Sequence, residues 1–256
     1  MFDWEAFTLF LFIVMRMTGF VVTNPVFGRA GIPNMFQMGF IALLSVSVYY
    51  SVEDYSFAIP DTALVLGIRL LIEMAVGMIL GMVMRFFLYI ADSAGEIVDS
   101  QMGLSMGRTY DPGSQSQMTV TANLFTTLML LLFFAENGHI TLLRLIMTSG
   151  DIVPFGAVSI GENVAEHALE LFAECALLAL KLALPILGAE MIGQVGMGVL
   201  NKVIPQINVF VINIDLKILI GFVLLLMLMT PISHFLLEAE ADMLRELRSL
   251  LQLMHT

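Results

Sequence analysis

The chain has 256 residues, of which 59% are hydrophobic and only 13% charged, and its mean hydropathy is +0.92. A soluble domain carries roughly 45–50% apolar and about 25% charged residues, and this excess cannot be hidden in one water-soluble core. The net charge of −11, from 11 Lys+Arg against 22 Asp+Glu, removes a basic groove for nucleic acid; a soluble enzyme and a disordered chain are excluded too, which leaves an integral membrane protein.

The first predicted element is Phe7–Val22. The N-terminal MFDWEAF has no basic region and no small-residue cleavage site, so the segment reads as retained in the membrane and not as a signal peptide. Apolar stretches follow at Asn34–Tyr50, Ala63–Ala91, Val120–Ala135, Leu169–Val199 and Phe210–Leu237. About 20 apolar residues cross a bilayer as a helix, so hydropathy predicts an all-α membrane protein of about six long helices. Ala63–Ala91 would run about 43 Å as a helix. Leu169–Val199 is longer and holds Pro185, whose missing N–H and ring clash predict a kink. Helices too long for lipid tilt, bend or project from it, which suits a packed assembly better than a simple bundle.

Charges inside these stretches point the same way. Arg16, Arg69, Glu73, Arg85, Glu174, Lys181, Glu190, Asp215 and Lys217 lie within or beside apolar runs, where ionised groups face protein or water. Arg69 and Glu73 share a helix face at i, i+4, and Glu174 and Lys181 share one two turns apart. The spacing predicts charge pairs within the chain or between subunits, with an ion or proton relay as the alternative. Gly77 and Gly81 form a GxxxG, and Gly188, Gly193, Gly196 and Gly198 crowd one segment, which predicts close helix contacts. Twenty methionines supply soft, adaptable filler, and the single Cys175 excludes a disulfide framework. Lys and Arg are balanced between the two sets of loops, so orientation is not set.

The longest polar interruption runs from Asp92 to Thr119. Asp92, Glu96 and Asp99 are spaced for one helical face, as a solvated or arginine-facing stripe; no histidine stands near to complete a metal site. Gln101–Met118 then combines Gly103, Gly107 and Gly113 with the turn pair Asp111-Pro112 and with Met102, Met106 and Met118. Such a loop is either an ordinary surface loop or a plug in a conduit. Farther on, Pro205 breaks the helix, Gln206 and Asn208 can satisfy the freed backbone, and the flanking segments form a hairpin. The tail Glu238–His255 is amphipathic through Leu244, Leu247 and Leu251, as a segment lying outside the hydrocarbon against a neighbouring chain or the membrane surface. His139, His167, His234 and His255 are scattered, without HExxH, P-loop or GxSxG. No enzyme, metal or cofactor is expected. A small secondary transporter using Arg69, Glu73 or Glu190 is the competing class.

In this order, Arg16, Asn24-Pro25-Val-Phe-Gly28, Ile32-Pro33, Ala94-Gly-Glu-Ile-Val-Asp-Ser-Gln-Met-Gly103, Asp111-Pro112, Asn137-Gly-His139, Leu184-Pro185, Val203-Ile-Pro-Gln-Ile-Asn-Val-Phe210 and Lys217 resemble the FliR/SctT family of the type III protein export gate, in its flagellar branch. The resemblance covers nearly the whole chain. It implies a noncatalytic, multi-pass subunit of the bacterial inner membrane at the flagellar basal body. Implied partners are FliP-type and FliQ-type membrane subunits in a larger hetero-oligomer, an FlhB-type export protein, and unfolded flagellar proteins as cargo. Residues 1–165 would be FliP-like and 166–256 a FliQ-like helical hairpin with Pro205 at its tip. Loop 103–118 would be the plug, with Leu104, Met106 and Tyr110 as the blocking side chains and Asp111 and Pro112 turning it. In that family the gate is raised out of the bilayer plane, which suits over-long, kinked and charged helices.

Overall fold

The computed structural model describes residues 4–29, 31–52, 62–106, 109–111, 116–158, 161–203 and 209–254. Every apolar segment is helical. In chain order these are α1 (Trp4–Thr23), α2 (Asn34–Ser51), α3 (Ala63–Met102), α4 (Val120–Ala135), α5 (Gly138–Met147), α6 (Ser149–Ile152), α7 (Glu162–Val203) and α8 (Val209–Leu253). Two three-residue strands, β1 (Thr109–Asp111) and β2 (Ser116–Met118), form a small antiparallel hairpin between α3 and α4. The all-α membrane class holds.

The long helices outrun their apolar runs. α3 has 40 residues, α7 has 42 and α8 has 45, about 60 Å or more each against a hydrocarbon layer of roughly 30 Å. α3 continues through the polar stretch to Met102 because its buried stripe continues, through Ala91, Ala94, Val98 and Met102. It ends where Gly103 takes φ +81°, the left-handed cap that glycine adopts without a Cβ clash. α8 likewise runs past Pro231 into the tail, burying Leu236, Met243, Leu247 and Leu251 on one stripe. α7 runs on through Pro185. Pro205 lies outside the described residues.

Among the described residues four helices, α1, α3, α7 and α8, are long and apolar enough to cross a membrane, and five if α4 and α5 form one span bent by 70°. The sixth expected crossing is α2, a helix diluted by Asn34, Gln37, Ser45 and Ser47 and absent from that set. α5 and α6 were not anticipated. The bend before α5 is made at Asn137, whose φ of 59° is left-handed, a region a short polar side chain tolerates.

By packing, the chain falls into two units. The first comprises Met1–Phe86, Asn137–Leu171 and Ala241–Thr256, and the second Phe87–Glu136 and Phe172–Glu240. The division into 1–165 and 166–256 rests on likeness to two kinds of subunit, and the packing units do not bear on it. In the first unit α1 buries Leu9, Phe12, Ile13, Met17 and Phe20 along one stripe. α1 and α3 touch backbone to backbone: a side chain at Gly77 would strike the Arg16 carbonyl, and one at Gly19 the Met74 carbonyl. The GxxxG is therefore a helix–helix seam. In the second unit Gly95 plays this role, since a Cβ there would collide with the Ala122 backbone and drive α3 and α4 apart. Met102 fills the gap that Gly221 leaves on α8. A wide apolar surface stays uncovered, with Ile192 of α7 and Leu226 of α8 each 75% exposed. Lipid or other chains must cover such a surface.

Candidate functional site

The loop between α3 and α4 is built on a fixed base. Beyond Gly103 a 3-10 turn, Leu104–Met106, leads to the hairpin, whose register pairs Thr109 with Met118, Tyr110 with Gln117 and Asp111 with Ser116. Met102 and Met118, the last residue of α3 and of β2, are both buried, so each end of the loop is held by a thioether packed in the interior. Leu104 is half-buried. The side chains of Met106, Tyr110 and Asp111, and the whole of Pro112, lie outside the described part of the chain.

A single carboxylate ties the two ends together. Thr119 precedes α4 without a side-chain cap. Asp99, 0% exposed, supplies the missing acceptor from α3. The Thr121 N–H donates to its Oδ2 at 2.7 Å, and the Thr121 hydroxyl donates to its Oδ1 at 2.5 Å. A helix N-terminus leaves unpaired N–H groups and a positive dipole end, and both favour a carboxylate there. The expected stripe of Asp92, Glu96 and Asp99 is thus divided: Asp99 turns inward to cap α4, while Glu96 and Asp92 stay partly exposed. The signal for this was present, since Asp99 lies next to the buried stripe Ala94, Val98 and Met102 and α4 opens without an acidic residue in its first turn.

The second polar centre lies in the first unit. Arg16 of α1 and Glu73 of α3 are 0% and 1% exposed and form an ion pair, Nε to Oε2, at 2.7 Å. Arg16 Nη1 donates to the Val153 carbonyl at 3.0 Å and to the Ser149 hydroxyl at 3.3 Å. The Gly156 N–H donates to the other Glu73 oxygen at 2.7 Å. The guanidinium also lies 4.2 Å from the centre of the Phe155 ring. The i, i+4 spacing points to Arg69 for Glu73, but both oxygens of Glu73 are taken by Arg16 and Gly156. An i, i+4 rule sees only neighbours along one helix, and here the partner comes from a helix close enough to share a glycine seam.

Glu174 and Lys181 are both exposed on α7, and among the described residues no ion pair joins them. Glu190 is 1% exposed, and neither of its carboxylate oxygens has a hydrogen-bond partner among the described residues. Pro185 is exposed within α7.

Comparison with known proteins adds a family and several relatives. The model of the family described as bacterial export proteins, family 1, matches residues 7–243. The flagellar biosynthetic protein FliR of Bacillus subtilis is 26% identical, over 97% of this chain and 96% of its own. The protein of that name from Escherichia coli is 29% identical, over 89% and 86%. The Yop proteins translocation protein T of Yersinia pestis is 28% identical, over 78% and 77%.

Proposed function

The chain belongs to family 1 of the bacterial export proteins, and from that membership we propose that it is a membrane subunit of the flagellar type III protein export gate. In this reading it helps form and close the channel through which unfolded flagellar proteins leave the cytoplasm. It sits in the inner membrane at the flagellar basal body, with FliP-type and FliQ-type subunits and an FlhB-type protein around it. It is noncatalytic: it shapes and seals a passage. Residues 1–165 contribute the FliP-like portion and 166–256 the FliQ-like hairpin.

The observation that carries the reading is the family match from residue 7 to residue 243. Physical features support it. Helices about twice the thickness of the hydrocarbon and a broad uncovered apolar surface suit a subunit clad by others. Loop 103–118, rooted on the Asp99–Thr121 tie, suits a plug, with Leu104, Met106 and Tyr110 as the candidate blocking residues. Soft side chains seal against ions yet deform around a passing polypeptide. A secondary transporter could not use Glu73, which is held through both oxygens by Arg16 and Gly156, and would have to rely on Glu190.

The test is mild-detergent extraction of the tagged chain followed by mass determination. An assembly several times the 28.2 kDa of the chain, containing other membrane subunits, is the expected result. A monomer that moves a solute in liposomes would replace this reading with the transporter.

A further inference from the structure

α3 carries two stripes over its last turns. Ile90, Ala94, Val98 and Met102 form the buried one. The other is polar, recurs at helical spacing through Tyr89, Ser93, Glu96, Ser100 and Gln101, and faces away from the core. It borders a cavity of about 550 Å³, lined by Ser93, Glu96, Ser100 and Gln101 of α3 and by Ser105 and Thr119 at the two ends of the loop. At roughly 30 Å³ per water, this space holds on the order of ten to twenty waters. Tyr89 stacks at 5.8 Å, tilted, on Phe172 of α7 beside it.

Lipid tails offer hydroxyl and amide groups no hydrogen bonds, so such a stripe is expensive against lipid. Among the described residues the lining is mostly polar, with one carboxylate, Glu96, beside Ile97 and the ring of Tyr89, which is itself taken up by Phe172. Hydroxyls and a carboxamide both donate and accept. An extended polypeptide presents N–H and C=O groups at every residue, about 3.3 Å apart, whatever its sequence. We propose that this polar stripe of α3 is a wall of the passage, contacting the main chain of the exported polypeptide. Short, exchangeable hydrogen bonds to water and to backbone let a chain slide without selecting its side chains. The cavity's continuity with Ser105 and Thr119 places this wall next to the loop that closes the passage. This assignment rests on the gate reading and adds the surface that meets cargo once the loop is out of the way.

The test uses the complete gate with Cys175, which is buried, replaced by Ala. Single cysteines are placed by Ser93→Cys and Ser100→Cys, and assembly of each is verified by co-purification. A charged, water-soluble maleimide is applied before and after an export substrate fused to a tightly folded domain is jammed in the gate. Both cysteines are expected to react in the empty gate and to react severalfold more slowly once the substrate is engaged. Cysteines that do not react in an assembled gate, or react equally with and without an engaged substrate, overturn the assignment alone. Failure of the jammed substrate to co-purify with the chain overturns the gate reading and the assignment with it.

Discussion

Two buried carboxylates on one helix, Glu73 and Asp99, are satisfied in different ways. Glu73 meets a guanidinium and a backbone N–H, inside a seam where α1 and α3 touch without side chains between them. Among the described residues Asp99 meets a backbone N–H and a hydroxyl of one threonine, at the base of the loop. Removing one partner of a buried ion pair costs about 3–5 kcal/mol because a charge is left uncompensated. Losing a helix cap costs about 0.5–2 kcal/mol. The first is a permanent joint. The second is the weaker tie, and it sets where the loop starts.

The largest effect should come from breaking the joint. Glu73→Gln leaves Arg16 buried without its counter-charge, so the chain should be largely lost from the assembled complex, as read by co-purification. The double replacement Arg16→Met with Glu73→Leu, which removes both charges, should recover most of it. Normal assembly of Glu73→Gln would show that the two centres do not differ as described. Next in size is Gly95→Val, which forces a side chain into the Ala122 backbone and costs about 1–3 kcal/mol of overpacking or more. Hydrogen exchange should speed up at the start of α4 and leave α1 unchanged; faster exchange in both would mean the two regions are not separable.

Much of this division could be read from the sequence. All six apolar segments are helices, and the long polar interruption leaves the helix at Gly103; Pro112 lies outside the described residues. Hydropathy stopped α3 and α8 too early, because it counts polar residues such as Ser93, Glu96 and Glu238 without asking whether the buried stripe beneath them continues. The Arg16–Glu73 pair was beyond local spacing, since its partners come from different helices. Asp99 was grouped with Asp92 and Glu96 by periodicity alone, although it borders the apolar stripe. α5 and α6 stayed hidden because their apolar runs are short and the left-handed Asn137 resembles an ordinary loop residue.

A smaller effect is expected at the tie itself. Asp99→Asn keeps the shape but loses the charge at the α4 N-terminus, so assembly should persist while amide exchange at Thr121 speeds up by about tenfold, the factor for 1.4 kcal/mol. Protection equal to the unmodified chain would mean that Asp99 is not what holds the loop base. The smallest effect belongs to Glu174 and Lys181, exposed residues whose pairing across subunits would contribute about 0.2–1 kcal/mol. Glu174→Lys or Lys181→Glu alone should modestly reduce recovery of partner subunits, and the two together should restore it. Full recovery in both single variants would exclude that pairing.

In the proposed function the loop rooted on Asp99 closes the passage, while the Arg16–Glu73 joint only holds the subunit together. Its most direct test is the ion conductance of membranes carrying the complete gate with residues 104–118 deleted, in a preparation whose subunit composition matches that of the intact gate. The account predicts an assembled but leaky gate. Conductance equal to that of the intact gate, in a deletion that assembles fully, would contradict it.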